Sequence, residues 1–103
     1  MIAELSKLTD APELSKTKPL MVIITGTDCG PCKSLLSTVE GLSDEEKGEV
    51  AIATFPAEND TNAVRAMGVR GVPTVLFYNH GSVRGVLVGE QSKDKLIDKI
   101  KSM

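Results

Sequence analysis

Leu20-Met21-Val22-Ile23-Ile24-Thr25-Gly26-Thr27-Asp28-Cys29-Gly30-Pro31-Cys32 is the stretch that decides the fold. Its first five residues form a continuous apolar run, the pattern of a strand covered on both faces. Thr25 to Gly30 is polar and contains glycine, so it reads as a turn. Pro31 suits the first turn of a helix, because its φ is already helical and its missing N–H would have no partner there. Leu35, Leu36 and Val39 then form an apolar stripe at helical spacing. A buried strand therefore runs straight into a helix, with two cysteines at the junction.

Downstream, Gly41 interrupts the helix, and Ser43-Asp44-Glu45-Glu46 has the spacing of a capping box, which predicts a further helical turn. Glu49 to Phe55 alternates as a strand, with Val50, Ile52 and Thr54 on one face and Ala51, Ala53 and Phe55 on the other. Asn59 or Asp60 caps a short helix carrying Ala63, Val64 and Met67, and Gly68 stops it. Thr74 to Tyr78 is rich in β-branched and aromatic residues and reads as a third strand. Asn79-His80-Gly81-Ser82 is a tight connection to a partner strand, Val83 to Val88, in which Gly85 predicts a bulge or a close backbone approach. Ser92 caps a last helix with Leu96, Ile97 and Ile100 inward and Lys93, Lys95, Lys99 and Lys101 outward. Upstream the pattern is ambiguous. Ile2, Leu5 and Leu8 fit a helical face, yet residues 1–5 also fit an edge strand. Thr9 or Asp10 could cap a helix with Pro12 in its first turn and Leu14 inward.

The order strand, helix, strand, helix, hairpin, helix predicts an α/β protein. Parallel strands come first, an antiparallel pair follows, and helices cover both faces of a mixed sheet. The chain's 103 residues are the size of one domain, expected to span residues 1–103. Phe55, Phe77 and Tyr78 are the only aromatic residues, so the core has to be aliphatic. Twelve basic against 14 acidic residues give a net charge of −2, which offers no electrostatic reason to expect nucleic acid as partner. No apolar run approaches the roughly 20 residues that span a bilayer, so no membrane partner is expected. The first ten residues lack a basic start followed by an apolar stretch, so no export signal is expected and the default location is the reducing cytoplasm. There a close cysteine pair is more often redox-active or metal-binding than structural.

Cys29 and Cys32 stand where two intervening residues at a helix start bring the sulfurs within bonding reach. Unpaired N–H groups at that end favour a thiolate on Cys29, the expected nucleophile. Cys32 lies about one turn further in, which suits the resolving role. Pro31 stiffens the loop. Zinc would need four ligands, and the only further soft ligand is His80, far along the chain and better read as a solvated turn residue. An inert buried pair fits poorly with Gly30 and Pro31 between the cysteines. The run Gly26 to Ser34 ends like a phosphate loop, but Cys32 stands where that motif needs glycine. Lys33 could assist thiolate formation, could help a reductase dock, or could be a plain surface residue.

Cys29-Gly30-Pro31-Cys32 after an apolar strand, then Gly68-Val69-Arg70-Gly71-Val72-Pro73-Thr74, then Asn79-His80-Gly81 and Gly89, closely resembles thioredoxin, without a gap from Leu20 to the C-terminus. The resemblance implies a thioredoxin fold with four or five strands and a small dithiol–disulfide oxidoreductase that reduces protein disulfides. It implies no bound cofactor or metal beyond the Cys29/Cys32 pair itself. The partners it implies are protein disulfide substrates and a thioredoxin reductase or other external reductant, and the protein is expected to act as a monomer. It further implies that Val72-Pro73 is a cis-proline beside the dithiol, that Gly71 and Gly89 keep a substrate groove open, and that Gly30-Pro31 is the dipeptide of a reductant.

Several positions depart from the family pattern. Asp28 replaces the usual tryptophan before the first cysteine. Ile23 stands where an aspartate is usually buried behind the second, Thr54 where that aspartate's lysine partner lies, and Thr25 where an aromatic residue usually precedes the loop. These departures surround the site, so a glutaredoxin-like or mildly oxidising variant is an alternative. Another is a non-catalytic binding module that uses the groove around Asp28, Cys29 and Val72-Pro73.

Overall fold

A computed structural model describes residues 2–103. Strand β2 (Leu20–Thr25) leads into helix α2 (Gly30–Glu40), then a single turn α3 (Asp44–Lys47) and strand β3 (Ala51–Pro56). A 3-10 turn (Ala57–Asn59) and helix α4 (Thr61–Ala66) precede the hairpin β4 (Thr74–Asn79) and β5 (Ser82–Val88), and α5 (Lys93–Lys101) closes the chain. Ahead of β2 lie a two-residue strand β1 (Ala3–Glu4), a 3-10 turn (Leu8–Asp10) and α1 (Ala11–Leu14). The sheet order is β1-β3-β2-β4-β5. β2 is parallel to β3 and antiparallel to β4, with Ile23 opposite Thr54 on one side and opposite Val75 on the other.

The central strands are apolar at every position because each face of the sheet carries its own core. Leu20, Val22 and Ile24 pack with Leu76, Tyr78, Phe55, Leu8, Ala11 and Val64 on the side of α1 and α4. Met21 and Ile23 pack with Val75, Phe77, Leu35, Val39, Leu96 and Ile100 on the side of α2 and α5. Met21, Val22, Ile23 and Ile24 are fully buried, each worth roughly 1.5–3 kcal/mol of burial. Tyr78 reaches Met67 with its hydroxyl, Oη to Sδ 3.9 Å, and its burial pushes the phenol pKa up. The capping box is complete: Ser43 Oγ accepts the Glu46 N–H and the Glu46 carboxylate accepts the Ser43 N–H. That backbone N–H, ahead of Lys93, holds the Glu46 pKa low.

The N-terminal ambiguity resolves as an edge strand, with β1 parallel to β3. Leu14 is not inward; it is 48% exposed. α1 is a single turn whose inward positions are Ala11 and the following Ser15, four residues apart, and Leu14 falls on its flank. Asp10 makes no side-chain cap, because the preceding 3-10 turn already leaves it helical. Ser15, unremarked in the sequence, ties the far hairpin down: its Oγ accepts the Gly81 N–H at 2.9 Å and its carbonyl accepts the His80 N–H at 3.1 Å. β3 begins at Ala51 rather than Glu49, since Gly48 at φ +62° and a Val50 N–H to Lys47 carbonyl bond keep that segment turned. In the hairpin Phe77 faces Gly85 and Tyr78 faces Val83, leaving Arg84 as the bulged residue. The missing Cβ of Gly85 is where the Lys99 side chain lies. Lys99 is therefore half-buried rather than outward, its aliphatic stem covering the strand.

A carboxylate at position 23 would sit in a wholly apolar cluster. Ile23→Asp is expected to cost roughly 1–3 kcal/mol at neutral pH, or more without a partner for the charge. Burial raises the folded-state pKa of the new carboxyl above its unfolded value. The variant therefore loses further stability as pH rises between those two values. Urea titrations at pH 4.5 and pH 8 check this, and equal losses at both would show that position 23 is not in the dry core.

Candidate active site

The end of β2 and the start of α2 build the centre of the site. Cys29 is the N-cap of α2, extended at φ −103° and ψ 101°, and its Sγ accepts the Cys32 N–H at 3.2 Å. A free helix N–H thus already points at the sulfur, which favours a thiolate there once the pair is reduced. Cys29 is half-buried, whereas Cys32 is 3% exposed. The two are joined as a disulfide with Cα atoms 5.2 Å apart. Gly30, Pro31 and Lys33 are exposed, and the Lys33 N–H closes the first turn on the Cys29 carbonyl at 3.2 Å.

Pairing of Ile24 with Thr74 sets the start of β4 beside the end of β2. The loop before β4 carries Gly71, Val72 and Pro73, so it lies next to the dithiol turn. The Val72–Pro73 bond is cis, Pro73 is buried and Val72 is 38% exposed. Thr74 Oγ1 donates to the Gly71 carbonyl at 2.7 Å, which fixes the loop from below. Gly89, at φ +85°, donates its N–H to the Pro73 carbonyl at 2.8 Å. A Cβ on Gly71 or Gly89 would meet nothing within 4 Å, so both line open surface. His80 sits in the turn at the opposite end of β4, exposed and at φ +53°, away from the dithiol.

Three features of the site escaped the sequence reading. A Cβ on Gly26 would come 2.8 Å from Val72 Cγ2, so the bare backbone there lets the two loops touch; its only signal was a glycine three residues before Cys29. Thr27 Oγ1 donates to the Glu58 carboxylate at 3.3 Å and ties the dithiol turn to the segment after β3. Asp28 is exposed in the left-handed region, φ +53°. Aspartate is among the few non-glycine types that enter it readily, which makes the residue fit the turn.

The interior behind Cys32 is apolar. Among the described residues the buried polar side chains are Ser15 and Thr74, and no carboxylate, lysine or histidine is buried. Ile23 and its neighbour Thr54 lie paired in the sheet, so nothing titratable stands in the apolar cluster under α2. Nor, among those residues, do three or more His, Cys, Asp or Glu side chains gather into a metal site.

The family model described as Thioredoxin matches residues 3–102. A thioredoxin of Rickettsia felis is 30% identical over 85 residues, which is 82% of this chain and 81% of the relative. A thioredoxin of Acidithiobacillus ferridurans is 31% identical over 83 residues, 81% of this chain and 77% of the relative. Among solved structures, a mutant thioredoxin from Halobacterium salinarum superposes with TM-score 0.85 at 28% identity, covering 97% of this chain and 88% of that one. A Malassezia sympodialis thioredoxin shares the fold at TM-score 0.84 and 22% identity, over 99% and 90% of the two chains.

Gly71 and Gly89 have different reasons to be glycine. Gly89→Ala forces a side chain into the left-handed region and is expected to cost about 1–2 kcal/mol in chemical denaturation. Gly71→Ala meets open space and is expected to stay within about 0.5 kcal/mol of the parent. A neutral Gly89→Ala would mean that the Gly89–Pro73 bond does not set that conformation.

Proposed function

The chain belongs to the thioredoxin family and is a thiol–disulfide oxidoreductase; on that premise we propose that it reduces protein disulfides, with Cys29 its attacking sulfur and Cys32 its resolving one. The observation that carries the assignment is the contrast between the two. Cys29 is half-buried at the helix N-cap and receives an N–H on its sulfur, while Cys32 is sealed in the first turn.

In the dithiol form the Cys29 thiolate attacks one sulfur of a target disulfide. A bond forms between Cys29 Sγ and that sulfur, the target S–S bond breaks, and the other target sulfur leaves as a thiolate. Cys32, behind which no buried base stands among the described residues, then passes its proton to the departing target thiolate and attacks Cys29 Sγ. The Cys29–Cys32 disulfide forms, the second target sulfur is expelled, and two electrons have passed to the target. The backbone around Val72 and Pro73, with Gly71 and Gly89 leaving open surface, would hold the substrate segment beside Cys29. Pro31 keeps the loop stiff, and Lys33 is an exposed cation close to the reacting turn. The chemistry needs no cofactor besides the sulfurs. It does need an external reductant, a thioredoxin reductase or another dithiol donor, and a reducing compartment such as the cytoplasm. The reading treats residues 1–103 as one domain, supported by the family match over 3–102.

Cys32→Ser is expected to accumulate stable mixed disulfides with substrate proteins through Cys29, and Cys29→Ser to accumulate few. Non-reducing gels after incubation with disulfide-bonded proteins read this directly. Equal trapping by both variants, or trapping mainly through Cys32, would reverse the assignment.

Asp28 places a carboxylate next in sequence to the attacking sulfur and on the surface. A neighbouring negative charge disfavours the thiolate and opposes the helix N-terminus. Asp28→Asn is expected to move the pH profile of Cys29 alkylation downward by about half a unit at low salt, with the shift shrinking as salt rises. An unchanged or upward-shifted profile would return Asp28 to the role of a turn residue.

A further inference from the structure

A cavity of about 250 Å³ opens beside Val72, lined by Ala57, Thr61, Val64, Arg65, Val69, Arg70, Gly71 and Val72. The chain has three arginines in all, and two of them meet here, in a protein whose net charge is −2. The third, Arg84, spends its Nε on the Asn79 carbonyl at 3.1 Å. Arg65 and Arg70 are both exposed. Among the described residues the ion pairs are Lys16–Glu13 and Lys93–Glu46, so neither arginine has a carboxylate partner. Two exposed acids, Glu58 and Asp60, adjoin the lining residues Ala57 and Thr61 in sequence and keep their charge, but neither is paired with Arg65 or Arg70. Glu58 accepts the Thr27 hydroxyl at 3.3 Å, and Asp60 caps α4 by accepting the Ala63 N–H at 3.0 Å. The rest of the lining is mainly apolar, from the buried Val64 and Val69 to the exposed Val72.

Two unpartnered guanidinium groups over an apolar floor are complementary to a carboxylate next to an aliphatic side chain. We propose that this cavity is a specificity subsite, which takes an acidic and an apolar side chain of the polypeptide that carries the target disulfide. The proposal rests on the oxidoreductase reading above and adds to it a preferred substrate class. Val72 joins the two places, since it lines the cavity and its side chain abuts Gly26 of the dithiol turn. Asp28 limits where the acid can fall. An acid adjacent to the target cysteine meets a like charge beside Cys29, so the favoured acid lies further along the segment. Arg70 also borders a second cavity that includes the exposed Val86 and Val88, which extends the apolar floor past the guanidinium.

The test uses disulfide-bridged peptides in which a single Glu is walked away from the target cysteine, each with a Gln and a Lys twin. Second-order rate constants for reduction by the reduced full chain are measured at low salt. At the favoured position Glu is expected to react about three- to tenfold faster than Gln, and Lys slower than Gln, as two exposed charge pairs allow. The Glu/Gln ratio is expected to fall toward one in Arg65→Gln/Arg70→Gln and in roughly 0.5 M salt, where the screening length is short. Using the ratio within each protein removes any general effect of the substitutions. A ratio near one at every position in the parent, or a high ratio that survives in the double variant, overturns the subsite. Failure to reduce any of the twins would instead bring down the oxidoreductase reading on which it rests, and the subsite with it.

Discussion

The burial of β2 on both faces is the constraint on which the rest depends. Leu20 to Ile24 can be apolar at every position only if helices close over each side of the sheet, and the two clusters divided by strand parity do so. A strand in the middle of the sheet has its neighbours fixed on both edges, β3 on one and β4 on the other. Its end is therefore fixed in space, and the polar turn that follows has one place to go. That place is the start of α2, which makes Cys29 an N-cap and buries Cys32 one turn later.

The same pairing supplies the other wall of the site. Because Ile24 pairs with Thr74, the loop ending in Pro73 abuts the dithiol turn, and Gly26 provides the clearance for Val72. Three hydrogen bonds hold the two walls in place: Thr74 to Gly71, Gly89 to Pro73, and Thr27 to Glu58. The Cys29 sulfur is thus supported by strand ends and a helix cap rather than by a mobile loop, an arrangement that keeps its geometry narrow.

The charges are arranged unevenly around this frame. Under α2 the cluster is apolar, with Ile23 and Thr54 paired in the sheet, and among the described residues no carboxylate, lysine or histidine is buried near the sulfurs. On the surface Asp28 stands next to Cys29, and Arg65 and Arg70 line the cavity beyond Val72. A dry interior with charges kept outside favours stability, since a lone buried carboxylate is costly.

What the sequence determined by itself is what local pattern and spacing can encode. The unbroken run from Leu20 to Ile24 specified a doubly covered strand, Cys29-Gly30-Pro31-Cys32 specified a dithiol at a helix start, and Ser43 to Glu46 specified a capping box, all through neighbours a few residues apart. Gly85 announced a bulge or a close backbone approach; the bulge occurs next to it, at Arg84, while the space of its missing Cβ is taken by the Lys99 side chain rather than by backbone. Only the tertiary structure decided that Ala3 and Glu4 pair as a strand, because β1 is two residues long and its partners in β3, Ala53 and Thr54, are remote in the chain. It alone turned Leu14 outward and Ser15 inward, since a one-turn helix has too few residues to reveal its buried face. It alone brought Gly26 to Val72, Thr27 to Glu58, and Arg65 with Arg70 around one cavity. Those contacts join residues whose separation in the chain carries no periodic signal, and they exist only once the sheet has fixed which strand ends stand side by side.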